Sequence, residues 1–161
     1  MYKCHLHIYL TGHPCCAFEV IKSMPPLEHF THVFSESSKP DEVLASKADV
    51  IIADLSDIDI KEKEVLQILT QNKNSETQVI LLAATEQMGS LMEEPTLTYI
   101  QDIWINPISE AEIRFRFLRW QQTCKREKDF WQTSHYLETT INNIPSLIWY
   151  KDKNGIHEKV N

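Results

Sequence analysis

Three glycines in 161 residues are too few for a glycine-rich phosphate cradle, and no P-loop, nucleophile elbow or His-Glu-X-X-His pattern occurs. These absences argue against an independent enzyme. No run of about 18 apolar residues is present to span a bilayer, and the amino terminus lacks the basic and apolar regions of a secretory signal. A cytoplasmic location without a membrane span is therefore expected. The four cysteines, Cys4, Cys15, Cys16 and Cys124, show no paired-loop framework, so reduced thiols are expected. Basic residues are outnumbered: 16 Lys and Arg against 23 Asp and Glu leave a formal net charge of -7, which argues against a nucleic-acid partner. One basic cluster, Arg114, Arg116, Arg119, Lys125 and Arg126, is interleaved with Phe115, Phe117, Leu118 and Trp120 and reads as the solvated face of a helix.

What is present is organised around Ala48 to Asp57. Val50, Ile51, Ile52 and Ala53 form an apolar run without alternation that stops on Asp54, as in a short strand buried on both faces of a parallel sheet. Asp54 then stands at the carboxyl end of that strand, where open parallel sheets gather ligands and chemistry. Cys4 to Leu10 reads as the first strand. A turn, Thr11-Gly12-His13-Pro14, leads into a helix over Cys15 to Met24, with Pro14 suited to the first helical turn. A second strand, His29 to Ser35, precedes a loop that caps a short helix over Glu42 to Lys47. After the third strand come a polar turn at Asp57 to Asp59, a helix over Ile60 to Gln71 with Val65, Leu66, Ile68 and Leu69 inward, and a second unbroken apolar strand, Gln78 to Ala84. A weak helical pattern surrounds Leu91 and Met92. Tyr99 to Ile105 makes the fifth strand, closed by Asn106-Pro107. Five strand-helix alternations imply an α/β, doubly wound sheet.

Ser109 and Glu112 have the spacing of a capping box, and no Gly or Pro follows until Pro145. A helix over Glu110 to Asn142 is roughly 50 Å long at 1.5 Å per residue, more than one sheet needs. Ile113, Phe117, Trp120 and Cys124 make one apolar line on it. Phe130, Leu137, Ile141 and Ile144 make another. The expectation is that the first packs on the sheet and the second on a partner helix in a parallel homodimer, with a single helix folded back on its own domain as the alternative. Beyond it, Leu147 to Tyr150 and Ile156 to Asn161 read as strands around an Asn154-Gly155 turn, a hairpin signal.

Five strand-helix units with Asp54 ending the third strand and Asn106-Pro107 ending the fifth resemble the receiver domain of two-component response regulators. The resemblance implies a flavodoxin-like (βα)5 doubly wound parallel sheet, strand order 2-1-3-4-5, over residues 1–121. It also implies a phospho-accepting pocket, from which this chain departs. Asp54 matches the acceptor, but Leu10, Thr11 and Gly12 stand where the Mg²⁺-holding acidic pair belongs. Ala83 replaces the hydroxyl residue, Asn106 replaces the lysine, and Ile103 replaces the switching aromatic. Phosphoryl transfer needs the metal and charge neutralisation together. The expected module is thus a non-catalytic pseudo-receiver with no cofactor, Asp54 being a leftover carboxylate bonded to nearby backbone N–H groups. A weakly active phospho-acceptor on Asp54 and a small-ligand-binding flavodoxin-like domain are the alternatives.

Asn143 to Asn161 resembles the opening of a PAS sensor domain. The combined resemblance implies a helical linker over residues 122–143, an incomplete PAS domain over 144–161, and other signalling domains of the same chain as partners. In that layout the output is often a diguanylate cyclase or a histidine kinase, and no residue here belongs to either. Cys4, His5, His7, His13, Cys15 and Cys16 make a ligand-rich first segment, but His5 and His13 stand at opposite ends of a strand, roughly 25 Å apart at about 3.3 Å per residue, and cannot share one metal. A smaller zinc site from His13, Cys15 and Cys16 is the remaining candidate, against which core-facing cysteines and a loop histidine are the plainer expectation. Asp54, Asp57 and Asp59 lack the spacing of a calcium loop.

Overall fold

The computed structural model describes residues 4–56, 62–144, 149–151 and 157–160. The polar turn at Asp57 to Asp59, the start of the third helix at Ile60, the strand residues Leu147 and Ile148, and the Asn154-Gly155 turn lie outside the described residues. The described part divides into two compact units, one running to Gln121 and one starting at Gln122.

In the first unit β1 (His5–Thr11), β2 (Thr31–Ser37), β3 (Val50–Asp54), β4 (Gln78–Ala84) and β5 (Asp102–Asn106) form one parallel sheet in the order β2-β1-β3-β4-β5. This is the expected doubly wound α/β fold. The apolar runs of β3 and β4 sit at its centre, and Val50 to Ala53 and Val79 to Ala83 are buried throughout, as strands covered on both faces must be. At one edge β2 alternates between exposed and half-buried residues.

The register sorts the two faces. Tyr9 pairs with Ile51 and Ile51 with Val79, and these pack with α2 (Glu42–Lys47) and α3 (Glu62–Asn72) through Ala45, Leu66 and Leu69. Leu10 pairs with Ile52 and Ile52 with Ile80. Side chains alternate across a strand, so these face the other way, with His32 and Phe34 of β2. α1 (Cys16–Ser23) buries Ala17, Phe18, Val20 and Ile21.

Several local expectations shift. Pro14 lies ahead of α1 rather than in its first turn, because Cys15 is the extended N-cap residue. Residues Pro95–Tyr99 wind into a 3₁₀ turn, and β5 begins only at Asp102: Pro95 presets the first helical φ, and this overrides the β-prone Thr-Leu-Thr-Tyr run. The weak pattern around Leu91 becomes the short α4 (Met88–Met92). Asp41 caps α2 by accepting the Leu44 N–H at 2.9 Å.

α5 (Glu110–Asn142) has 33 residues, as the absence of Gly and Pro predicts. Ser109 Oγ accepts the Glu112 N–H at 3.2 Å, but the Glu112 carboxylate turns to Arg116 Nε at 3.0 Å, so one half of the capping box forms. Within the first unit α5 is tied by Arg116 to Asp102 at 3.3 Å, by Trp120 Nε1 to Gln78 Oε1 at 2.6 Å, and by Gln121 Nε2 to the Pro25 carbonyl at 3.4 Å.

In the second unit, Phe130 and Leu137 are exposed, Ile141 is buried within its own chain and Ile144 is half-buried. The expected second line therefore splits, and Ile141 is not free to meet a partner helix. β6 (Trp149–Lys151) and β7 (His157–Val160) pair antiparallel, Trp149 opposite Val160. No helix among the described residues is long and apolar enough to cross a membrane.

Candidate functional site

The parallel register brings the strand ends to one edge. Thr11 lies opposite Ala53, Asp54 opposite Leu82, and Ala84 opposite Asn106. Gly12 follows Thr11 at φ +126°, a conformation that L side chains rarely adopt. Its backbone is pressed against Asp54: a Cβ at position 12 would stand 3.0 Å from Asp54 Cβ and 3.0 Å from the Asp54 carbonyl oxygen. A side chain at position 12 would therefore collide with the main chain of Asp54. Thr11 is buried, and its hydroxyl accepts from Ser37 Oγ at 3.5 Å, on the side of β2.

Asp54 is half-buried and its Oδ1 accepts two bonds from one residue, the Ser56 N–H at 2.9 Å and the Ser56 hydroxyl. Ser56 Oγ in turn accepts from Asn106 Nδ2 at 3.3 Å. Asp54 and Asn106 are therefore bridged by the neutral Ser56 hydroxyl. The expected backbone bond to Asp54 is present, while Ser56 as its bridge was not foreseen. The Asp-Leu-Ser sequence carries the signal, since Asp commonly accepts from the backbone N–H two residues on.

Gln87 was not foreseen either. Its Oε1 accepts the Ala84 N–H at 2.7 Å and its Nε2 donates to the Leu55 carbonyl at 2.5 Å, fastening the ends of β3 and β4 together. Ala83 is fully buried and brings no hydroxyl.

Cys15 stands beside Asp54. Burial raises its thiol pKa above the ordinary value, and the neighbouring carboxylate adds to that, while the N–H groups of Phe18 and Ala17 pull the other way. A protonated, half-buried thiol is a poor nucleophile and metal ligand. Cys16 is exposed and Cys4 and Cys15 are half-buried, so none of these first-segment cysteines is fully core-facing. No group of three or more His, Cys, Asp or Glu side chains among the described residues is placed to hold a metal ion, and His13, Cys15 and Cys16 do not converge.

Beside this edge a crevice of about 580 Å³ opens between the connections after β1 and β2 and helix α3, lined by His13, Ser38, Lys39, Pro40, Val65 and Ile68.

No protein-family model and no curated protein sequence matches the chain. Solved structures are similar to it. An adenylate cyclase from Rhodopirellula baltica superposes with a TM-score of 0.54 at 15% identity, over 84% of this chain and 98% of that one. A CpaE2 pilus assembly protein from Sinorhizobium meliloti gives 0.51 at 11% identity, over 70% and 99%. The receiver domain of a sensor histidine kinase from Pseudomonas aeruginosa, with magnesium in its active-site cleft, gives 0.48 at 18% identity, over 73% and 98%. At these identities the likeness is one of fold.

Proposed function

We propose that the chain is a regulatory module of the pseudo-receiver kind, which does not take phosphate on Asp54 and acts through α5 on neighbouring signalling domains. One observation carries this reading: Gly12 is packed directly on Asp54. Binding Mg²⁺ at this edge requires several carboxylate oxygens around the phosphoryl acceptor. A side chain at position 12 would run into Asp54 Cβ and its carbonyl oxygen, which leaves no room for a carboxylate there, and the neutral Ser56 and Asn106 close the remaining side. Asp54 serves there as an acceptor that orders the turn after β3.

The full chain, incubated with acetyl phosphate and millimolar Mg²⁺, is expected to show no phosphate adduct by intact mass. A stable adduct lost on Asp54→Asn would overturn the reading. Gly12→Asp distinguishes a missing carboxylate from a missing space. The variant should lose about 1–3 kcal/mol of stability, the cost of a strained backbone position, without gaining Mg²⁺ affinity. A stable, Mg²⁺-binding Gly12→Asp would show that the pocket is intact and only depleted.

The finer layout follows from the same reading. In this reading the antiparallel β6-β7 pair is the opening of a PAS domain. The exposed Phe130 and Leu137, seven residues apart on α5, support a parallel homodimer through that helix. Phe130→Glu with Leu137→Glu should convert a dimer to a folded monomer in sedimentation. An unmodified chain that is monomeric at tens of micromolar removes the homodimer from the proposal.

A small-ligand module is the second reading. It rests on the crevice beside His13 and Lys39, whose size lies within the range of about 300–1,000 Å³ typical of ligand sites. Native mass spectrometry of the purified chain, searched for a retained small molecule, tests it.

A further inference from the structure

His32 lies on β2 opposite Leu6 of β1, in a seat made of aromatic rings. Its imidazole meets Phe34 at 6.0 Å and Phe117 of α5 at 5.9 Å between centroids, both edge-on. Phe117 is stacked in turn on Trp120 at 5.2 Å. Nδ1 and Nε2 of His32 are both buried without a hydrogen-bond partner, as is Oε1 of Gln121, which sits one helical turn beyond Phe117. Buried polar atoms are rarely left unmade, and each such group calls for an explanation. The two His32 atoms lie at the contact that seats the first half of α5 on β2, and Gln121 follows on the same helix, where its Nε2 donates to the Pro25 carbonyl at 3.4 Å.

We propose that His32 is a proton-operated latch under α5: neutral, its ring seats Phe117 against β2; protonated, it leaves that seat for water, and the Phe117 to Gln121 turn of the helix loosens from the sheet. An imidazolium has two donors and a full charge, and the aromatic seat satisfies neither. Charged groups on the surrounding elements are engaged elsewhere. On β2, Glu36 pairs with Lys22 of α1 at 2.8 Å, and Lys22 also holds Glu19. On α5, Arg114 pairs with Glu110, and Arg116 with Glu112 and Asp102. Glu28 and His29, ahead of β2, pair with each other at 3.5 Å in solvent. Around β1 the titratable neighbours are Cys4, just before the strand, and His5 and His7, which alternate to the opposite face. No carboxylate among the described residues pairs with the ring.

Burial alone lowers the His32 pKa from its ordinary 6.5. A histidine whose folded pKa is depressed contributes stability that is whole above its unfolded pKa and is lost as pH falls toward the folded one. The seat is therefore firm above about pH 6.5 and weakens in mild acid. This latch works whether or not Asp54 takes phosphate.

Amide hydrogen exchange on the full chain, compared at about pH 7.5 and about pH 5.5, one unit either side of an ordinary histidine, tests it after correction for the intrinsic rate. Protection of residues 113–121 is expected to fall severalfold on acidification while that of β3 and β4 holds, and His32→Phe should abolish the selective loss. The same selective loss in His32→Phe, or none in either protein, would overturn the proposal. Should that variant fail to fold, the ring resonances of His32 in the unmodified chain decide. A midpoint below the ordinary value, with Phe117 resonances moving in step, supports the latch; an ordinary midpoint with Phe117 unmoved overturns it.

Discussion

The two halves of α5 carry apolar residues at similar helical spacing, yet they meet opposite fates. Ile113, Phe117 and Trp120 are 1%, 0% and 8% exposed, whereas Phe130, Tyr136 and Leu137 are 76%, 70% and 55% exposed. Helical periodicity decides which residues share a side. It does not decide whether anything covers that side. The first half has a sheet face to cover, prepared by Ile8, Leu10 and Ile52, and the burial of its line follows. For the second half the chain itself covers Cys124, Lys128 and Ile141, and the large residues Phe130, Tyr136 and Leu137 are left in water, where a second copy of the helix is the proposed cover.

The sharpest way to break this comparison is truncation at matched positions. Phe117→Ala should cost about 3–5 kcal/mol in denaturant unfolding, since it empties a fully enclosed site. Leu137→Ala should stay within about 0.5 kcal/mol at concentrations where the chain is monomeric. Similar costs for the two would mean that the halves are equally structural. Next in size is the pair of indoles. Trp120→Phe removes the bond to Gln78 and should cost about 1 kcal/mol. Trp131→Phe leaves an exposed ring stacked near His135, 5.1 Å between centroids, and should be nearly silent in the same assay. Smallest is the ion pair at the start of the helix. Arg114 holds Glu110 at 2.8 Å with both side chains largely in solvent, so Arg114→Ala should cost at most about 0.5 kcal/mol. That cost should vanish in high salt.

Much of the fold is legible in the sequence because its central strands are covered on both sides. Val50 to Ala53 and Val79 to Ala83 have no solvent face, and a run without alternation has few other homes in a short strand. The 33 residues of α5 are legible for the converse reason, that nothing between Pro107 and Pro145 interrupts a helix. The candidate site was legible by position only. Asp54, Thr11, Gly12, Ala83 and Asn106 do sit at one sheet edge, because strand ends in a parallel sheet must converge there. Ser56, Gln87 and Cys15 belong to the same edge, and only Ser56 leaves a trace in the sequence.

By itself the sequence determined the order of strands and helices, the acid at the end of β3, and the lack of a second carboxylate or a lysine to work with it. Each of these is written in local pattern or residue type. Tertiary structure alone decided that Gly12 lies on Asp54, that Asn106 reaches Ser56 across 50 positions of chain, and that His32 is seated under Phe117. Such contacts join residues far apart in sequence. Strand register and helix packing set which side chains meet, and neither is encoded within any short stretch of the chain.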